Sequence, residues 1–309
     1  MSAIRTNDLT KQYGSQTVVS KIDLEVEAGE VYGFLGPNGA GKSTTIAMLL
    51  SYVHPTDGTA RVLGRDVCEA PAEIKRRIGV LPERYRLYDR LPGRKHLRFA
   101  IDSMGADDDP DALADRVGLE ATAVRRPVGE YSTGMKQRLR IALALVGEPD
   151  LLVLDEPSSG LDPAGIRLLR EIVLEERDRG AAVFFSSHVL EQVEEVSDRI
   201  GILVDGELRM SGDLEELKSD TGAAVELEVE IDAVSQEVLS AVGSVESVTG
   251  CTATDSGSGG PSLSVSLSRG TAKAEVLRTI EAHATIEDFA AEERSLESLF
   301  EEGVAEASR

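Results

Sequence analysis

The sequence predicts an α/β domain followed by a smaller α+β domain, and three observations carry that prediction. Across residues 1–218, short β-rich runs alternate with segments of helical pattern, the order of a largely parallel core sheet with crossover helices. The apolar run "VYGFLG" passes directly into a glycine-rich loop and a helix start. After about residue 220 the chain turns sharply acidic: residues 222–309 hold 17 Asp or Glu against 5 Lys or Arg, a net of −12.

In chain order, the strands of the first domain are read from "VYGFLG", "RRIGVLP", "LLVLDEP", "AAVFFSSH" and "RIGILVDGEL". The stretch from about 84 to 148 is different: "GRKHLRFAIDSMG", "PDALADRVGL" and "TGMKQRLRIALALVG" have helical patterns and read as a helical insertion. In the second domain "AVELEVEI" alternates like a half-buried strand and "VSQEVLSAVG" is helical. "SVESVTGCTAT" and "PSLSVSLS" form a hairpin across the flexible "DSGSGG". "TAKAEVLRTIEAH" is a helix, "ATIEDFAAE" a strand and "SLESLFEEGVAEA" a closing helix, so the βαββαβ order predicts a ferredoxin-like accessory domain over 222–309.

Charge and composition narrow the function. A formal charge of −22 over 309 residues argues against nucleic acid as a partner, since such binders need a positive footprint. Only eight of the 33 basic residues are Lys, and a Lys-poor, acid-rich surface suits a high-salt cytoplasm in which self-repulsion is screened. No apolar run reaches the roughly 20 residues of a membrane span, and "MSAIRTNDLTKQYG" has no signal-peptide core, so a cytosolic location is expected. Cys68 and Cys251 are too few and too far apart for a disulfide framework or a ligand cluster.

The chemistry lies in four short motifs. "GPNGAGKST", running Gly36, Pro37, Asn38, Gly39, Ala40, Gly41, Lys42, Ser43 and Thr44, follows a strand and opens a helix, as a phosphate-binding loop requires. Its glycines let backbone N–H groups turn inward, and the helix N-terminus adds partial positive charge. Lys42 is placed to reach the β and γ phosphates, and the Ser43 hydroxyl to ligate Mg²⁺. "LLVLDEP" ends in two acids, Asp155 to hold Mg²⁺ through water and Glu156 to polarise an attacking water. "SSHVLEQ" ends a strand on His188, and "YSTGMKQR" sets a Ser and a Gly at a basic helix start far from the phosphate loop.

The order "GPNGAGKST", "YSTGMKQR", "LLVLDEP", "SSGLD" and "SSH" resembles the ATP-binding subunits of ABC transporters, over residues 1 to about 218. The resemblance implies a P-loop NTPase fold with a core mixed sheet and an inserted helical subdomain. It also implies ATP and Mg²⁺ as cofactors, and two nucleotide domains paired head to tail as a homodimer or heterodimer. Ser132 and Gly134 then close over ATP held by the other subunit, a role a Ser hydroxyl and helix-start N–H groups suit. Tyr13 in "KQYGSQ" becomes the platform for adenine, with an ordinary strand-end Tyr as the alternative. Asp162 helps couple the two sites, and His188 senses the γ-phosphate.

Two departures from the family pattern point to one branch. The usual Leu-Ser-Gly-Gly-Gln is Tyr131, Ser132, Thr133, Gly134 and Met135 here, which opens the trans contacts of Thr133 and Met135 to question. Glu83 in "GVLPERYRLYDRL" stands where a Gln usually faces Mg²⁺, and binding the metal or facing away both stay open. With the ending "RSLESLFEE", these look like the branch that pairs with ABC-2-type permeases, usually exporters, on the cytoplasmic face of the membrane. Arg84, Arg86, Arg90, Arg94, Lys95 and Arg98 form a basic island against Asp89 alone, either a solvated helix face or a docking site for a permease helix or anionic headgroups. The competing class is a soluble ATPase of the same family acting without a permease. Repair members insert very long coiled coils where this chain has only about ninety residues, and ribosome-acting members carry two motif sets where it has one. A GTPase-like switch would show an Asn-Lys-x-Asp motif, which is missing.

Overall fold

Five buried apolar strands organise the first part of the chain in the computed structural model, which describes residues 2–83, 85–217, 225–255, 261–268 and 272–293. They are β4 (Val31–Leu35), β7 (Ile78–Leu81), β8 (Leu151–Asp155), β9 (Ala182–Ser187) and β10 (Arg199–Val204). They pair in parallel in the order β10-β4-β9-β8-β7. Continuous apolar sequence is what a strand covered on both faces requires. Tyr32 and Phe184 stack at 5.8 Å in its centre, and Phe34 meets Phe184 at 5.2 Å.

The expected strand "RIGILVDGEL" is in fact two. β10 turns at Asp205 (φ 50°) and Gly206 (φ 81°) and returns as β11 (Glu207–Asp213), antiparallel at the sheet edge. An Asp-Gly pair with both residues at positive φ matches the right-handed twist of a hairpin, and it was the missed signal.

A second sheet was also not read from the sequence. β1 (Ser2–Tyr13), β2 (Gln16–Ile22), β3 (Glu25–Glu27), β5 (Asp57–Val62) and β6 (Arg65–Asp66) form an antiparallel sheet. One shared core joins its Ile4, Leu9, Ile22 and Val62 to Phe34 and Val153 of the parallel sheet, with Met48 and Leu49 of α1 (Lys42–Leu49) among them. The helix that starts at the phosphate loop is thereby clamped between two sheets.

α2 (Pro71–Lys75) precedes β7, and between β7 and β8 the chain forms α3 (Gly93–Met104), α4 (Pro110–Arg116), one 3₁₀ turn (Val128–Glu130) and α5 (Thr133–Ala144). Asp109 caps α4 by accepting from Asp111 N, with Pro110 at the first helical position. Gly93 is needed where it stands, because a Cβ there would meet Tyr131 Oη at 2.5 Å. Tyr131 is buried, and its hydroxyl donates to Ala123 O.

α6 (Pro163–Asp178) ties this helical segment to the sheet through Glu176, whose side chain is 1% exposed. One carboxylate oxygen takes Arg116 at 2.7 Å, the other Arg179 at 2.5 Å. Arg179 also donates to Glu148 O and Pro149 O, just before β8.

The chain divides into two compact units between Leu214 and Glu215. In the second, four antiparallel strands lie in the order Val248–Asp255, Pro261–Leu267, Val225–Ile231 and Ile286–Glu293. Helices Gln236–Gly243 and Lys273–Glu281 supply Val238, Val242, Val276 and Ile280 to a core with Leu227, Val229, Leu263 and Val265. Arg84 and the expected closing helix of residues 295–307 lie outside the described residues.

Removing one member of a buried ion cluster leaves the others uncompensated, although both guanidinium groups here reach water. Glu176→Ala is expected to lower unfolding stability by about 2 kcal/mol, and Glu176→Gln by less, measured by urea denaturation.

Candidate functional site

The C-terminal ends of β4, β8 and β9 bring the first cluster together. From β4 the chain runs through Gly36–Gly41 into α1, with Gly39 at φ 88° and Gly41 at φ 108°. A Cβ on Gly36 would lie 2.4 Å from Leu203 O, and one on Gly41 2.8 Å from Val18 O. The loop is thus held tightly by neighbouring backbone, and only glycine fits at these two points. Asn38 and Gly39 are exposed, Pro37 is half-buried and Ala40 is buried. At the start of α1, Ser43 is exposed and Thr44 half-buried, so Ser43 stands open to solvent at a helix N-terminus.

Lys42 is only 6% exposed and folds back over the loop. Its Nζ donates to Gly36 O at 2.6 Å and Pro37 O at 3.4 Å, and lies 3.3 Å from Glu156 Oε1. That last contact is an ion pair without an aligned hydrogen bond, and Oε1 is buried with no hydrogen-bond partner. Glu156 Oε2 takes His188 Nδ1 at 2.9 Å. Lys42, Glu156 and His188 therefore form one chain of polar contacts, with the imidazole 53% exposed at its outer end. Glu156 sits at φ 51°, a left-handed conformation uncommon for a residue with a side chain.

Asp155, 5% exposed, is the last residue of β8 and pairs with Ser186 of β9. Ser186 Oγ donates to Asp155 Oδ1 at 2.6 Å and accepts from Glu156 N at 3.0 Å. Sequence reading missed Ser186, although it stands in "SSH" two residues before His188.

The second cluster forms elsewhere on the same unit. Ser132 caps α5, its Oγ accepting from Met135 N at 3.2 Å. Asp162 caps α6 by accepting from Gly165 N at 2.7 Å. A cavity of about 280 Å³ is lined by Gly118, Ser132, Gly134, Met135, Arg138, Gly160 and Asp162. Thr133 adjoins it: a Cβ on Gly160 would fall 2.7 Å from Thr133 Cγ2. Arg138 binds Gly118 O at 3.2 Å and lies 3.6 Å from Asp162. Gln137, nearly buried, donates to Pro157 O and so anchors α5 just beyond Glu156. Gln137 and Arg138 stand in "YSTGMKQR" and Gly160 in "SSGLD", but none of the three is singled out by local pattern, because they act through contacts distant along the chain.

No residue from Gly36 to Thr44 lines that cavity, nor do Asp155, Glu156 or His188. Two predicted residues belong to neither cluster: Glu83 is exposed just after β7, and Tyr13, 50% exposed, ends β1 with Lys11 Nζ 5.1 Å from its ring centroid.

Comparison with known proteins fits this geometry. The ABC transporter family model matches residues 19–159. The bacitracin transport ATP-binding protein BcrA of Bacillus licheniformis is 42% identical over 220 residues, covering 70% of each chain. The daunorubicin/doxorubicin resistance ATP-binding protein DrrA of Streptomyces peucetius is 40% identical over 228 residues, 72% of this chain and 69% of its own. A solved ATP-binding subunit of an ABC transporter superposes with a TM-score of 0.65 at 31% identity, covering 70% of this chain and 92% of that one. The chain belongs to the ATP-binding subunits of ABC transporters and is an ATPase with the P-loop NTPase fold. Gly41→Ala, which combines a close approach with a positive φ, is expected to destabilise the loop by about 1–3 kcal/mol and to weaken ATP binding at least about tenfold, as titration with a fluorescent ATP analogue would measure.

Proposed function

We propose that this chain is one of two motor subunits of an ABC-2-type exporter, and that each ATP is enclosed by the phosphate loop of one copy and the Ser132 loop of the other. The observation that carries this reading is the separation of the two clusters. One holds a lysine, two carboxylates and an imidazole around a glycine cradle, and the other presents a helix N-terminus with a Ser hydroxyl beside the Arg138–Asp162 pair, with no lysine and no imidazole. Each is half of a phosphate site, and head-to-tail pairing of two copies, or of one copy with a close relative, makes both whole.

The residues fit ATP and Mg²⁺. The glycine loop, pressed against neighbouring backbone at Gly36 and Gly41 and opening the N-terminus of α1, suits phosphate oxygens, and the hydroxyl of the exposed Ser43 with the Asp155 carboxylate is the hard oxygen set that Mg²⁺ takes. Bound Mg²⁺ supplies charge neutralisation across the β and γ phosphates. Lys42 exchanges Glu156 Oε1 for phosphate oxygens, which removes the charge that holds that carboxylate inward. Glu156 is then able to orient and polarise the attacking water. His188, bonded through Nδ1, has Nε2 left to face the γ-phosphate. The half-exposed ring of Tyr13 offers adenine a stacking surface. Asp162 and Arg138 connect the Ser132 loop to the start of α6, so that closure on one nucleotide is felt beside the other.

The names of the relatives, one for bacitracin transport and one for daunorubicin and doxorubicin resistance, support export and a permease partner. Among the described residues no helix is long and apolar enough to cross a membrane, which suits a subunit held peripherally at the cytoplasmic face by its permease. A groove of about 840 Å³ between β7 and α3, lined by Leu81, Tyr85, Tyr88, Lys95 and Phe99 among others, is where a permease helix would seat. Tyr88 is 72% and Phe99 74% exposed. Arg94 is paired with Asp111 and Arg98 with Asp102, so aromatic surface carries more of this docking than the basic island does. Within the branch, the domains run 1–218, with its helical subdomain at about 84–148, and 222–309. The strand order of the second unit supports a ferredoxin-like fold. Its acidic surface supports a salt-adapted source.

Glu156→Gln is expected to cut ATP turnover about 10²- to 10⁴-fold and to shift the chain from monomer to dimer with Mg·ATP in size-exclusion chromatography. A variant that stays monomeric at saturating ATP would overturn the composite-site reading. Phe99→Asp should keep ATP binding and lose recovery of a multispanning permease from solubilised membranes. Recovery of ribosomes or DNA-processing proteins in place of a permease, from the native chain, would favour the permease-free class.

A further inference from the structure

We infer that Ser186 is a positioning residue for ATP hydrolysis, one that sets both the Mg²⁺ acid and the water-polarising acid through a single buried hydroxyl. The inference rests on the roles proposed above for Asp155 and Glu156.

Ser186 is completely buried and lies directly across the parallel ladder from Asp155. At this point the β8–β9 ladder ends: Glu156 turns to φ 51°, and its N–H bonds a side chain in place of the neighbouring strand's backbone. A buried N–H without an acceptor costs free energy comparable to a lost hydrogen bond. The Ser186 hydroxyl supplies the acceptor at 3.0 Å, and with its one proton it donates to Asp155 Oδ1 at 2.6 Å. A hydroxyl has one donor and two acceptor sites, so one atom meets both needs.

The geometry has two consequences for the reaction. Oδ1 is the Asp155 oxygen engaged among the described residues, which fixes the rotation of the carboxylate and leaves Oδ2 as the metal-facing oxygen. The backbone of Glu156 is held in the left-handed turn from which its side chain reaches Lys42 on one side and His188 on the other. His188 follows β9 directly, two residues after Ser186, so the hydroxyl and the imidazole are placed by one strand. Alanine at 186 would leave a part-buried N–H and a buried carboxylate oxygen without this partner together.

Serine 186 is tested with Ser186→Ala, Ser186→Thr and Ser186→Cys in the full chain, by binding of a fluorescent ATP analogue with and without Mg²⁺, by the split of kcat against KM, and by thermal melting. Ser186→Ala is expected to bind the analogue without Mg²⁺ like the native chain, to lose about tenfold or more of the affinity that Mg²⁺ adds, and to lose kcat by about 10- to 100-fold with KM little changed. Ser186→Thr, which keeps the hydroxyl, should recover most of both. A native Mg²⁺ response and native kcat in Ser186→Ala, or a loss confined to melting temperature, would overturn the inference. If Ser186→Ala does not fold, Ser186→Cys carries the same test, since its weak donor keeps the volume and loses the bond. Glu156→Gln run in parallel separates the premise from the inference: native turnover in that variant would remove the role of Glu156 itself, whatever Ser186 does.

Discussion

A buried lysine whose carboxylate partner comes from beyond another strand governs how this candidate site is built. An ammonium group at 6% exposure is costly unless it is paired and hydrogen-bonded. Lys42 meets that requirement with Gly36 O and Pro37 O from its own loop and with Glu156 Oε1 from beyond β8. For Glu156 to be there, β8 must end beside β4 across β9, and α1 must be held where Lys42 begins it. The parallel order β4-β9-β8 and the two-sheet clamp on α1 meet those conditions. In the proposed mechanism, the same contact keeps the phosphate-binding lysine and the water-polarising carboxylate neutralised against one another until phosphate competes for the lysine.

The remainder of the site is an arrangement of strand ends. Parallel strands deliver their C-terminal residues to one edge of the sheet, the usual place for ligands in open α/β folds. Asp155, Glu156 and His188 arrive there on two adjacent strands, and Ser186 stitches those strands together where the backbone ladder stops. The Ser132 loop is carried by a different layer, pinned through Gln137 to Pro157 and through Arg138 to Gly118. A rigid tie between the layers is consistent with one composite site influencing the other, since packed elements shift as units.

Much of this was legible in the sequence, for identifiable reasons. "GPNGAGKST" and "LLVLDEP" carry their chemistry locally, because a phosphate cradle and a strand-tip acid need only neighbouring residues in a set order. Continuous apolar runs marked β4, β8 and β9, which are covered on both faces. What escaped was non-local or disguised. The antiparallel sheet of β1, β2, β3, β5 and β6 is made of strands with alternating and partly polar sequence, interrupted by the helix α1 and paired across nearly sixty residues, as Ile4 with Val62. The β10–β11 hairpin was hidden because apolar residues continue on both sides of Asp205-Gly206. Ser186, Gln137 and Glu176 gain their meaning from partners 31, 20 and 60 residues away, and no local pattern reveals those distances.

The central claim is that nucleotide is enclosed by two copies of the chain, and the measurement that tests it most directly is an experimental structure of the Glu156→Gln chain with Mg·ATP. The account predicts a head-to-tail pair in which Lys42 has left residue 156 for the phosphates and the Ser132 hydroxyl of the second copy lies within hydrogen-bond distance of the γ-phosphate. A nucleotide contacted by residues of a single chain alone, with Ser132 facing solvent, would contradict it.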